Sequence, residues 1–224
     1  DIIGAAETLV AKNSSNINSV SDLVGKKVGA PFASTAHYSL LNALKLEGVD
    51  ENSVKLLDLQ PDDIYAAWQR NDIDAAYVWY PVLGELLKDG KSITDSEKLA
   101  QRGVVTGDAT VVMASFAKAN PEIVKKFVEI QIKANEMINN DKTKAAKEVA
   151  AVLQISEEDA AEQLTQFKYL TPEEQIDFLD NQMAQTLKST SDFLVEQKSI
   201  KSAPDLESFK GRVTSEFVKS AIQK

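Results

Sequence analysis

Four places along the chain combine residue types that could do chemistry. In Pro31-Phe32-Ala33-Ser34-Thr35-Ala36-His37, two hydroxyls and the one histidine follow a β-type run and open an amphipathic helix. A helix N-terminus carries N–H groups without intrahelical acceptors and the positive end of the peptide dipole, so hydroxyls there can help to hold an anion. That spacing alone more often describes Ser34 as a plain N-cap. His37 lies in the first turn, where the dipole disfavours the imidazolium. This leaves a neutral ring that can donate one hydrogen bond, to a ligand or to its own loop. Glu7 opens the run Glu7-Thr8-Leu9-Val10-Ala11-Lys12, and Asp108 follows Gly107. A solvated strand start and a turn are the ordinary places for such acids. Trp79 and Tyr80 end a β-type run before Pro81. Ligands of open α/β sheets bind beyond the carboxyl ends of strands, although a structural tryptophan fits there equally well. Trp68, with Ile64 and Ala67 on the same helix, reads as core.

Composition narrows the chemistry further. There are 25 basic and 34 acidic residues, a formal net charge of −9. An anionic nucleic acid would select the opposite balance, so none is expected as a partner. With no cysteine, thiol nucleophiles, disulfides and zinc–thiolate sites are ruled out. A single histidine rules out a multi-histidine metal site and confines any Ser-His-Asp triad to His37 as base. Neither metal nor cofactor is expected. No apolar run approaches the roughly 20 residues that span a bilayer.

These residues must be positioned by two different kinds of chain. Up to about residue 113, short β-type runs alternate with helical patterns. Strands are expected at 7–12, 27–32, 54–59 and 73–79. Helices are expected from Ser34 to about Glu47, stopped by Gly48, from Pro61 to about Arg70, and from Pro81. Such alternation predicts a parallel sheet covered by helices. Beyond residue 113 apolar spacings of three and four predict helices at 121–139, 142–153, 156–166, from near Pro172, at 180–197 and at 213–222. So many amphipathic helices with so few strands resemble half of an α/β lobe whose sheet lies elsewhere. A small helical bundle beside an α/β domain is the plainer alternative.

Several stretches then resemble one family, in the same order along the chain. They are Ser21-Asp22-Leu23-Val24-Gly25-Lys26-Lys27-Val28-Gly29 and Pro31-Phe32-Ala33-Ser34-Thr35-Ala36-His37-Tyr38-Ser39-Leu40-Leu41, followed by Leu59-Gln60-Pro61 and Ala66-Ala67-Trp68-Gln69-Arg70. After them come Asp72-Ile73-Asp74-Ala75-Ala76-Tyr77-Val78-Trp79, Leu87-Lys88-Asp89-Gly90-Lys91, Thr94-Asp95-Ser96-Glu97 and Tyr169-Leu170-Thr171-Pro172. Together they resemble the nitrate/sulfonate/taurine-type solute-binding proteins of ABC importers. The resemblance implies an α/β, type II periplasmic-binding-protein fold, two α/β lobes with a ligand cleft between them. The second lobe is expected at 21–109. The first is expected at 1–20 and 110–224, mostly helical and without N-terminal strands that this sequence does not contain. Chain crossings are expected at 7–15 and 107–115.

The same resemblance implies a role for each candidate. A sulfonate is a permanent monoanion, and Ser34, Thr35, His37 and the nearby amides would hold it. Asp108 would take the ammonium of taurine, with Glu7 as a second carboxylate, and Trp79 and Tyr80 would lie against the ligand. Taurine-type loops carry threonine where this chain has Ala36, which removes one hydroxyl. The implied partners are taurine or a related sulfonate and an ABC permease, and the implied state is a monomer in the periplasm or lipid-anchored on the outer face of the membrane. Other alkanesulfonates and nitrate are the nearer alternatives. A thiamine-pyrimidine-synthase-like enzyme shares the fold, but no nucleophile or base–orienter pair is visible here.

Overall fold

The β-type runs of the first hundred residues form one five-stranded sheet. A computed structural model describes residues 1–223. In chain order it contains β1 (Ile2–Ile3), β2 (Glu7–Lys12), β3 (Lys27–Ala30), α1 (Thr35–Leu46), β4 (Lys55–Asp58) and α2 (Pro61–Gln69). These are followed by β5 (Ala75–Trp79), α3 (Val82–Leu87), β6 (Gly90–Asp95) and α4 (Ser96–Ala100). The sheet order is β4-β3-β5-β2-β6. Strand β3 is parallel to β4 and β5, whereas β2 is antiparallel to both β5 and β6.

The expected parallel sheet is therefore a mixed one. Helical crossovers enforce parallel pairing only between the strands they join. The link from β2 to β3 contains two short 3-10 turns and no α-helix, so nothing imposes that direction on β2. The edge strand β6 had no separate place in the sequence pattern.

Register explains how the site is built. Glu7 stands opposite Trp79, Leu9 opposite Tyr77 and Ala11 opposite Ala75. Alternation along a strand puts these six side chains on one face, which α1 covers. The opposite face carries Val10, Ala76 and Val78. They pack with Ile64, Ala67 and Trp68 of α2, with Ile73, and with Val82, Leu83 and Leu86 of α3. Trp68 is fully buried and its Nε1 donates to Asp89 at 2.7 Å, as a core tryptophan should. Burying each large apolar side chain here contributes about 1.5–3 kcal/mol.

The helix ends follow local chemistry. Ser34 caps α1, and Gly48 takes the left-handed φ of +69° that lets Val49 N–H reach Leu44 C=O at 2.9 Å. Pro61 occupies the first turn of α2, with Asp62 and Asp63 against the positive end of its dipole.

The chain divides into two units, Ile3–Thr106 and a second that holds Asp1–Ile2 with everything from Gly107 onward. This corrects the expected boundary at residue 21. Residues 3–20 belong with the sheet, because β2 is one of its central strands and all six of its residues are buried. The chain passes between units at residues 2–3 and 106–107, so 7–15 is not a crossing.

The second unit is mostly helical, as the spacing predicts. It comprises α5 (Ala114–Ala119), α6 (Pro121–Asn140), α7 (Lys142–Leu153), α8 (Glu157–Leu164), β7 (Phe167–Lys168), α9 (Pro172–Asn181), α10 (Met183–Glu196), α11 (Leu206–Lys210) and α12 (Glu216–Ile222). Ala146, Ala150 and Ala160 form a small core between α7 and α8. Ile123, Phe127 and Ile130, spaced four and three along α6, are an exposed apolar stripe, and Val111 and Met113 are 90% and 75% exposed. No helix is long and apolar enough to cross a membrane.

Candidate functional site

The start of α1 is a compact hydrogen-bonded device. Ser34 Oγ accepts from His37 N at 3.2 Å and donates to Pro31 O at 2.5 Å. Its hydroxyl hydrogen is thus used by the loop. Ala33 adopts a left-handed φ of +59°, which aims its N–H at His37 Nδ1, 3.3 Å away. The imidazole is 2% exposed and lies flat on Phe32, with ring centroids 4.2 Å apart and an interplanar angle of 5°. Burial pushes the His37 pKa below its ordinary value, and the nearby Asp58 carboxylate opposes this in part. The ring is therefore neutral, and because Nδ1 accepts, its hydrogen sits on Nε2. Of the two roles open to His37, the loop-bracing one is filled through Nδ1.

Glu7 is 5% exposed at the start of β2, so the expectation of a solvated strand-start acid does not hold. The Thr35 hydroxyl donates to Glu7 Oε1. This redirects the role expected of Thr35, because its hydrogen goes to a carboxylate of the chain. The pairing places a carboxyl group beside the positive end of the α1 dipole, which favours its ionised form. Trp79, opposite Glu7 in register, is half-buried on the same face. Tyr80 is one residue further on, in the turn that follows β5. Its ring packs on the α2–α3 core, so close to Gly84 that a Cβ there would lie 3.2 Å from Tyr80 Cε1. Tyr80, expected with Trp79 at the ligand, has its ring against the α2–α3 core instead of the face that carries Glu7.

Behind Glu7 is a buried polar network that the sequence did not reveal. Ser96 Oγ lies 3.1 Å from Tyr77 Oη and 3.2 Å from Ser39 Oγ. All three residues are fully buried. Burial, with smaller contributions from the Glu7 and Asp95 carboxylates, drives the Tyr77 phenol far above its ordinary pKa. The one available signal was Ser39, a polar residue on the inward stripe of α1.

One unit thus brings together Ser34, Thr35, His37, Glu7 and Trp79. Asp108 belongs to the other unit, where it is exposed. Its N–H donates to Asp1 O at 3.1 Å, beside an antiparallel bridge between Ile2 and Gly107. Among the described residues, no cluster of His, Cys, Asp or Glu could hold a metal ion. The α1 end can therefore do three things. It can offer backbone N–H groups to an anion, offer Glu7 to a cation, and offer Trp79 to an apolar or cationic surface.

Comparisons with known proteins agree with this architecture. A family model described as NMT1/THI5 like matches residues 4–145. The taurine-binding periplasmic protein of Escherichia coli K12 is 39% identical over 222 residues, covering 96% of this chain and 68% of the relative. The chain thus spans about two thirds of that protein's length. Among solved structures, the periplasmic aliphatic sulphonate binding protein SsuA of Escherichia coli superposes with a TM-score of 0.79 at 21% identity, covering 95% of this chain and 69% of that one. The desulfurization enzyme DSZB superposes at 0.69 with 17% identity, covering 99% and 77%. At such identities these two structures show a shared fold.

Proposed function

Because the chain belongs to the NMT1/THI5-like family, we propose that it is the larger part of a periplasmic solute-binding protein of an ABC importer, whose ligand is taurine or a near relative among small aliphatic sulfonates. One observation carries the choice of ligand: a buried carboxylate, Glu7, is hydrogen-bonded into the first turn of α1. A sulfonate cannot shed its charge by taking up a proton, so it needs donors such as the free N–H groups of that turn. A bare anion there faces repulsion from Glu7. A zwitterion instead brings its own cation to the carboxylate. Trp79, on the same face, is placed to pack on the ethylene or ammonium portion. Asp108 is the second acid assigned to the ammonium, on the strength of the sequence resemblance. Delivery to a permease, residence in the periplasm and a monomeric state belong to the same proposal. The two-lobed organisation is part of the same reading. The exposed stripe on α6 and the greater length of the relative support a further segment that covers this face.

Catalysis is less well supported, because the one histidine has Nδ1 committed to its own loop and there is no thiol. Titration calorimetry of the full-length protein with taurine, ethanesulfonate, sulfate and nitrate tests the proposal. Asp108→Asn should weaken taurine by about 2–5 kcal/mol, the usual cost of removing one partner of a charge pair that the bound ligand itself would bury, and leave ethanesulfonate nearly unchanged. Equal losses for both ligands would remove Asp108 from the site. Nitrate or ethanesulfonate binding more tightly than taurine in the parent protein would replace the assigned ligand.

A further inference from the structure

The loop ahead of α1 is held in a strained shape by side chains that reach it from two elements. Strand β3 ends at Ala30, which pairs in parallel register with Asp58 at the end of β4. Just beyond that pair, Leu59 N–H donates to Ala30 O at 3.2 Å, so the two strand ends stay together as the chain leaves the sheet. Asp58 Oδ1 then accepts the N–H of Phe32 at 2.9 Å. The next N–H, that of Ala33, is taken by His37 Nδ1 at 3.3 Å. The Phe32 ring lies flat on the His37 imidazole, which ties the two bonds into one brace. Ala33 is where the strain sits. At φ +59° it adopts the left-handed conformation that is unfavourable for an L-residue and persists only where its surroundings impose it. All of these residues belong to the unit Ile3–Thr106.

We propose that Asp58 is a positioning residue for anion binding: with His37 it draws the Phe32 and Ala33 N–H groups into the loop and imposes the left-handed turn that aims the next ones at the ligand. The assignment rests on the sulfonate reading above. The N–H groups of Thr35 and Ala36 come before any intrahelical acceptor. Their direction is set by how the chain enters the helix, and that entry is fixed at Ala33 and at the Ser34 cap. A turn already held in its bound shape avoids the ordering cost on binding. The sign of the effect separates this role from plain electrostatics. By its charge alone Asp58 would repel a sulfonate, so its removal would tighten binding. As a brace it has the opposite effect, and its removal weakens binding.

Titration calorimetry of the full-length protein with taurine and ethanesulfonate tests this. Asp58→Ala should weaken both ligands alike, by about 3- to 10-fold, the worth of one hydrogen bond. Asp58→Asn keeps an acceptor oxygen and should stay within about 2-fold of the parent. Glycine adopts a left-handed φ without strain, so in an Ala33→Gly background the further loss from Asp58→Ala should shrink to less than about 2-fold. Amide hydrogen exchange on the unaltered, ligand-free protein reads the brace without any substitution: Phe32 and Ala33 should exchange more slowly than Thr35 and Ala36. Unchanged or tighter binding by Asp58→Ala would overturn the proposal, as would an Asn variant as weak as the Ala variant. So would a loss confined to taurine, an undiminished loss in the glycine background, or Phe32 and Ala33 amides that exchange as fast as those of Thr35 and Ala36. Any of these in a parent that binds sulfonates overturns this inference alone. A parent that binds neither sulfonate would overturn the proposed function and this assignment with it.

Discussion

Thr35→Val is the sharpest probe of the α1 start. Valine keeps the branched shape and replaces the hydroxyl that donates to Glu7 by a methyl group. Glu7 is 5% exposed, so water does not readily replace the lost donor. A hydrogen bond to a charged group contributes about 1.5–3 kcal/mol, and leaving a buried acceptor less well served costs a similar amount. For a chain of 224 residues, each kcal/mol moves the midpoint by roughly 2–4 °C. Thr35→Val should therefore lower Tm by about 3–12 °C. Thr35→Ser keeps the donor and deletes one methyl group, which should cost only about 0.5–1.5 kcal/mol. Differential scanning calorimetry at pH 7.5, backed by urea unfolding, reads both variants. If Thr35→Val melts with the parent while Thr35→Ser melts lower, the methyl group rather than the hydroxyl holds this contact. The account of Glu7 as a charge anchored to α1 then fails, and the preference for a zwitterion loses its support.

Two further outcomes follow from the buried groups. Burial depresses the His37 pKa, so the unfolded chain binds the proton more readily than the native one. The stability tied to this group is fully present above its unfolded value near 6.5 and is lost as pH falls through the lower native value. Urea midpoints measured between pH 7.5 and 5 should therefore fall less steeply for His37→Gln than for the parent, and parallel slopes would refute a neutral buried ring. Tyr77→Phe removes the hydroxyl 3.1 Å from Ser96 Oγ and should cost about 0.5–1.5 kcal/mol in urea unfolding. A variant of unchanged or greater stability would show that the network contributes nothing net.

Much of the fold was legible along the chain because it rests on local chemistry. Ser34, Gly48, Pro61 and Pro172 mark helix ends through caps, a left-handed turn and fixed φ angles. These operate within a few residues, and the structure has helix boundaries at each. Trp68 reads as core from its neighbours on one helix face, and it is fully buried. The direction and membership of β2 were not legible. A strand's partners lie far along the chain, and the antiparallel insertion of residues 7–12 between β5 and β6 leaves no periodic trace in those six residues. The packing of Tyr80 was not legible for a related reason: it follows Trp79 in sequence, but its ring meets α2 and α3, which only the packed helices decide.

For the site, the sequence by itself determined the chemical inventory: a hydroxyl-rich helix start, one histidine, no thiol, and acids at positions 7 and 108. That inventory sets which reactions and ligands are feasible, and the run of family-like segments points to the sulfonate class. Only the tertiary structure decided how the inventory is spent. It joined Thr35 to Glu7 across 28 positions and committed His37 Nδ1 to its own loop. Hydrogen bonds and Coulomb forces act through space, over a few ångströms. Which charges stand within that range is fixed by strand pairing and helix packing, and composition carries no record of it.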